Sequence, residues 1–185
     1  EKDERGSLVT PSLDRAISNL VNIEHRLGEL ASIEVEHIDN IDSSNIRPEH
    51  WDRVAAVIAE RYYEYDGFVI THGTDTMAYT ASALSFVLGK LGKPVVLTGA
   101  QLPGYMIESD ARRNFVNALR VATLDISGVV VVFDRKTILG ARATKVSESR
   151  LDAFESVNGL LVGEIRLDIL LADNQRRRND SVLEL

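Results

Sequence analysis

Three short apolar runs punctuate the chain: FVIT at 68–71, VVLT at 95–98 and VVVVF at 129–133. Their alternation with helical patterns limits the fold more than any other feature. Runs this short and this rich in β-branched residues read as strands covered on both faces. Between the first two runs, Met77, Ala81, Leu84 and Leu88 share one face of a helix expected over 75–90. Between the second and third, a helix is expected from about Ser109 to Leu124. A helix joining two strands supplies the long crossover that parallel pairing requires. The expected fold class is therefore α/β: a doubly wound, mostly parallel sheet with helices on both faces, Rossmann- or flavodoxin-like in its three layers.

The flanks are less regular. Leu13, Ile17, Leu20, Leu27 and Leu30 predict a helix over 12–30, behind a Thr10 cap with Pro11 at the first helical position. SIEVEHI at 32–38 alternates and reads as a strand, and Pro48 opens a helix that buries Trp51, Val54, Ile58 and Tyr62. After Asp134 the rhythm changes: a hairpin or short strands around Gly140 over 136–146, a loop over 147–159, and one strand near 161–170. The polar end, 172–185, reads as a linker or an interrupted element, with Arg176, Arg177 and Arg178 in solvent.

Composition removes several classes of function. The 185 residues suit one domain with a tail. A formal charge of −7 repels phosphate, which argues against general nucleic-acid or anionic-membrane binding. With no cysteine there is no disulfide framework, no cysteine–zinc site and no thiol nucleophile, and the chain suits a reducing compartment. No apolar run approaches the roughly 20 residues of a membrane span, and no signal peptide opens the sequence. The first residue is Glu1, so a preceding segment is expected to be missing.

Doubly wound sheets bind ligands at the carboxyl ends of their strands. That rule selects three loops, 39–46, 72–76 and 99–108. HGTDT at 72–76 follows a strand directly. Gly73 permits close backbone approach, and free amides at a helix start favour a developing negative charge. Thr74 and Asp75 can position a water or bind an ammonium; the plainer alternative is that they cap the next helix. In DSS, Asp42, Ser43 and Ser44 can hold a zwitterion, or else form an Asx- or ST-turn ahead of Pro48. Lys145 can polarise a threonine hydroxyl and receive or relay its proton, or simply lie in solvent. His25, His37, His50 and His72 lack metal-ligand spacing, GKLGKP at 89–94 is not a P-loop, and no GxGxxG follows a strand.

DGFVITHGTDTMAYTASALSFVLGKLGKPVVLTGAQLP (66–103) resembles the bacterial-type L-asparaginases, most of all the cytoplasmic type I enzymes and their archaeal relatives. NIDSSNIRPEHW (40–51), SDARRNFVNAL (109–119) and RATKVSESRLDAFESVN (142–158) follow the family's order, so the resemblance runs over roughly 10–170. It implies an N-terminal α/β domain over 1–170, incomplete at its start, and the beginning of an interdomain linker over 171–185. It implies hydrolysis of L-asparagine to L-aspartate and ammonia, with some action on L-glutamine, by threonine-dependent acyl transfer without metal or organic cofactor. Thr74, Asp75 and Lys145 match the family's second catalytic set. Ser43 matches the serine holding the substrate α-carboxylate, flanked by Asp42 and Ser44; Asp75 also faces the substrate ammonium, and Ala100 lies near the substrate amide. The family's opening glycine-rich strand, with its nucleophilic threonine, and its second domain have no counterpart here. The resemblance thus implies a central portion, inactive alone, of a cytoplasmic homodimer or homotetramer that binds neither nucleic acid nor membrane. Three alternatives remain: the amidase subunit of an archaeal glutamyl-tRNA amidotransferase, a non-catalytic asparagine-binding domain, and a purely structural α/β module.

Overall fold

A computed structural model describes residues 27–173, 175–180 and 183. The helix expected over 12–30 falls almost wholly outside the described residues, where only the 3₁₀ turn Leu27–Glu29 appears.

The elements form in the expected order. Helix α1 (Pro48–Glu60) opens on proline, whose fixed φ suits the first helical turn. Strand β1 (Phe68–Thr71) leads to α2 (Met77–Val87), then β2 (Pro94–Thr98), α3 (Ala111–Ala122) and β3 (Gly128–Phe133). α2 and α3 are each shorter than their sequence pattern by two residues or more at both ends, where turns take over, while α1 starts at Pro48 as expected. β1 pairs with β2 and β2 with β3, both parallel, with Val69 opposite Val96 and Val96 opposite Val130.

The strands bury alternate side chains on opposite faces. Val95, Leu97, Val129 and Val131 pack against α1 and α2, together with Ile58, Met77, Ala81, Leu84 and Leu88. Val96, Val130 and Val132 pack against Ala118, Val121 and Ala122 of α3. Helices therefore cover both faces, and Met77, Ala81, Leu84 and Leu88 are fully buried as their spacing requires. Each large apolar side chain so buried contributes about 1.5–3 kcal/mol.

Beyond β3 the sheet reverses direction. Strand β4 (Lys136–Leu139) returns antiparallel beside β3, and the 3₁₀ turn Gly140–Arg142 leads into β5 (Ala143–Lys145). β5 pairs with β6 (Phe154–Ser156) in a separate two-stranded sheet. The expected single strand near 161–170 is two strands, β7 (Gly163–Ile165) and β8 (Ile169–Leu171), joined as a hairpin. The order in the main sheet is β1-β2-β3-β4-β7-β8. β1, β2, β3 and β7 point one way while β4 and β8 oppose them, which makes the sheet mixed with most strands parallel.

Two expectations fail. Residues 32–38 form no strand, and Val35 is half exposed. Alternation reports amphipathicity, but a strand also needs a neighbour for its backbone groups; β1 pairs only with β2 among the described residues. Side chains anchor the segment instead: Arg61 and the Tyr65 hydroxyl both donate to Glu34, and Arg53 donates to Asp39. Arg178 is not in solvent. Its guanidinium donates to the carbonyls of Asp66, Ala122 and Leu124, at the amino end of the sheet. Among the described residues no helix is long and apolar enough to cross a membrane.

Candidate active site

Strand β1 ends at Thr71, and the ladder continues one step as His72 N–H donates to Thr98 O at 2.9 Å. The chain then turns through Gly73–Thr76 into α2. A Cβ on Gly73 would stand 2.6 Å from the Ser43 hydroxyl oxygen, so only glycine lets the two loops touch. The Thr76 hydroxyl donates to Ser43 O at 2.7 Å, drawing the same loops together. Ser43 is buried by this packing.

Thr74 and Asp75 do not cap α2. Its N-cap is Thr76, which makes no capping bond through its side chain. Thr74 and Asp75 instead face Lys145 on β5, some 70 residues further along. The Lys145 ammonium donates to Thr74 Oγ1 at 3.0 Å, to Asp75 Oδ1 at 2.7 Å and to Glu148 Oε2 at 2.5 Å. Its side chain is only 9% exposed. Burial alone pulls its pKa down, but the bonds to Asp75 and Glu148 together outweigh this and hold it above the usual lysine value. Lys145 is therefore charged at neutral pH. An ammonium so placed can stabilise negative charge on the threonine oxygen, and it cannot accept a proton before giving one up.

Asp42 and Ser44 behave as a turn. Asp42 caps the 3₁₀ turn Ser43–Asn45 and accepts from both the amide and the hydroxyl of Ser44, at 2.8 and 2.6 Å. The Ser44 hydroxyl, then its amide, hold the Asp42 carboxyl below the usual value against a small opposing effect of burial. Of the three, Ser43 is the one packed against the HGTDT loop.

Ala100 is half-buried in the third loop. A Cβ on the preceding Gly99 would collide with the His72 carbonyl, which brings this loop against the second. Two residues to which the sequence reading gave no role hold it there. The buried Asp110 carboxylate accepts from the amides of Gln101 and Leu102, at 3.0 and 3.1 Å. Asn114, also buried, donates to Gly99 O and to Asp110, and accepts from Asp134 N–H. Asp110, Asn114 and Asn117 recur at helical spacing on the buried side of α3, and that polar stripe is the signal the sequence offers for them. Glu148, three residues beyond Lys145, has no such signal.

Hydroxyls, a carboxylate and an ammonium thus meet at the carboxyl ends of β1 and β2. This set can bind a zwitterion and stabilise an oxygen that gains charge, which is the chemistry of attack on a carbonyl.

The asparaginase N-terminal domain family matches residues 1–177. L-asparaginase 1 of Escherichia coli K12 is 49% identical over 124 residues, covering 66% of this chain and 37% of the relative. A glutamyl-tRNA(Gln) amidotransferase subunit of Pyrococcus horikoshii is 41% identical over 165 residues, covering 83% of this chain and 37% of that relative. The solved thermostable L-asparaginase from Thermococcus kodakarensis superposes with a TM-score of 0.84 at 41% identity, over 98% of this chain and 54% of that one. The chain spans about half, or less, of the length of these relatives.

Proposed function

The chain belongs to the asparaginase N-terminal domain family, and on that premise we propose that it carries the hydroxyl–carboxylate–ammonium centre of an L-asparaginase. The reaction is hydrolysis of L-asparagine to L-aspartate and ammonia, with some action on L-glutamine. One observation carries this reading: Lys145 reaches Thr74 and Asp75 together across 70 residues of sequence.

The chemistry is acyl transfer in two steps. A threonine hydroxyl attacks the side-chain amide carbon, forming a C–O bond as its proton passes to the leaving nitrogen. The C–N bond breaks and ammonia departs. Water then attacks the ester, and the threonine leaves with a proton. Thr74 is the threonine this chain holds against a cation, and Lys145 stabilises its oxygen as charge develops. Asp75 balances the lysine and receives the substrate ammonium. Ser43, flanked by Asp42 and Ser44, takes the α-carboxylate, and the backbone at Ala100 meets the amide. Each backbone donor to the tetrahedral oxyanion is worth about 3–4 kcal/mol. The decisive experiment is Lys145→Met in the intact protein: turnover collapses while the fold persists, and near-normal turnover refutes the role.

The identity to the Pyrococcus amidotransferase supports a second reading, in which the same centre serves tRNA-dependent amide transfer. Free aspartate and ammonia, released from asparagine without a partner protein or tRNA, favour the first. The working protein is further proposed to be a cytoplasmic homodimer or homotetramer whose α/β domain ends near residue 170. The lack of cysteine suits a reducing compartment, and Tyr79 and Phe86, 67% and 77% exposed on the outer face of α2, suit burial between protomers. Light scattering at working concentration checks the assembly.

A further inference from the structure

His72 stands first in HGTDT and has no part in the chemistry so far. Its Nδ1 lies 2.7 Å from Gly73 O, and its Nε2 lies 2.9 Å from Thr80 Oγ1. Trp51 Nε1 lies 3.0 Å from that same Thr80 oxygen. These contacts, in a neutral ring, assign the tautomer. A carbonyl only accepts, so Nδ1 must carry hydrogen. An indole N–H only donates, so the Thr80 oxygen accepts from Trp51, and in the neutral ring that burial favours, the bare Nε2 takes the Thr80 proton. The chain of donors runs Trp51 to Thr80 to His72 to Gly73 O, and ties α1 and α2 to the end of β1. Thr80 is 1% exposed, which shields the middle of the chain from water.

The Gly73–Thr74 peptide is trans, since no peptide bond among the described residues is cis. In a planar trans peptide the C=O and N–H point in opposite directions. With the carbonyl turned onto the His72 ring, the Thr74 N–H is turned away from that ring and from the helices beneath it. We propose that His72, locked as its Nδ1–H tautomer, is a positioning residue that aims the Thr74 amide N–H at the substrate's developing oxyanion. This rests on the reading of the 72–76 loop as an amide-hydrolysing site. The groups facing the ring, Trp51 from α1 and Thr80 from α2, carry no charge. Burial, partly opposed by the Gly73 carbonyl, keeps the His72 pKa below that of a free histidine.

Three measurements test the proposal. Long-range proton–nitrogen NMR on the histidine-labelled chain is expected to show Nδ1 protonated and Nε2 bare at neutral pH. An Nε2–H ring or an imidazolium overturns the proposal. His72→Asn places an amide N–H near the Nδ1 position, whereas His72→Leu offers no donor. The residual dipolar coupling of the Thr74 N–H is expected to match wild type in the Asn variant and to differ in the Leu variant. The same coupling in all three overturns the proposal, whether or not the protein turns over substrate. In asparagine hydrolysis by the intact protein, Leu is expected to lower kcat about 100-fold with little change in KM, and Asn to restore most of that loss. Equal losses in both variants overturn the positioning role. If the intact wild-type protein hydrolyses no asparagine while the tautomer and coupling behave as expected, the functional reading fails and the aiming of the amide stands.

Discussion

Half-buried cations hold both ends of the sheet, but they hold different things. At the amino end, Lys93 donates to the carbonyls of Tyr62 and Tyr65 at 2.6 and 2.7 Å and lies 4.8 Å from the centre of the Tyr62 ring. Arg178 donates to the carbonyls of Asp66, Ala122 and Leu124 nearby. At the carboxyl end, Lys145 donates to a hydroxyl and two carboxylates. Backbone carbonyls neither titrate nor react, so the first two cations can only fasten loops and the end of α3. Side-chain oxygens do both. That difference in partners is why the proposed reacting centre includes Lys145 and neither Lys93 nor Arg178.

The largest expected effect breaks the comparison most directly. Lys145→Met should lower turnover by about 10²- to 10⁴-fold, the range for proton-transfer and charge-stabilising groups, with the melting temperature within a few degrees of wild type. A variant that fails to fold would put Lys145 in the same class as Lys93. Arg178→Ala and Lys93→Met should do the reverse. Each strips partners from carbonyls and should cost about 1–3 kcal/mol in urea unfolding, with kcat nearly unchanged once folded. A fall in kcat with normal stability would show that the two ends are coupled.

The next effect is a pH dependence. His72 has a folded pKa below its unfolded value of about 6.5, so the fold favours the neutral ring. Its contribution is complete above that value and is lost as pH falls toward the depressed one, with a slope of at most about 1.4 kcal/mol per unit. Unfolding measured between pH 7 and pH 5 should show this slope, and His72→Asn should remove it. The smallest effect sharpens the chemical end. Glu148 is 79% exposed, so Glu148→Gln should change turnover by less than about fivefold and shift the Lys145 ammonium titration downward. A loss as large as that of Lys145→Met would move Glu148 into the reacting centre.

Much of the fold is legible from residues alone. β1, β2 and β3 show as apolar runs, and Met77, Ala81, Leu84 and Leu88 face the core as their spacing demands. The failures share a cause. At 32–38 the alternation is sound but no strand lies alongside, and at 161–170 the reversal between β7 and β8 depends on pairing with β4. Hydrophobic period reports which face is buried and is silent on what lies beside it. In the candidate site, Thr74 and Asp75 are visible because their loop leaves a strand end, whereas Ser43 is selected by the same rule although no strand precedes it among the described residues. Asp110 and Asn114 are not visible, because a polar residue on a helix reads as exposed until a loop is found to bond it.

Local sequence by itself determined where the backbone becomes strand, turn or helix around the HGTDT loop, since torsional preference and apolar spacing act over a few neighbours. Only the tertiary structure decided that Lys145 stands against Thr74 and Asp75, or that Arg178 closes the far end. Those bonds join segments that the chain separates and the packed sheet brings together, and no local rule encodes how strands from distant segments order themselves.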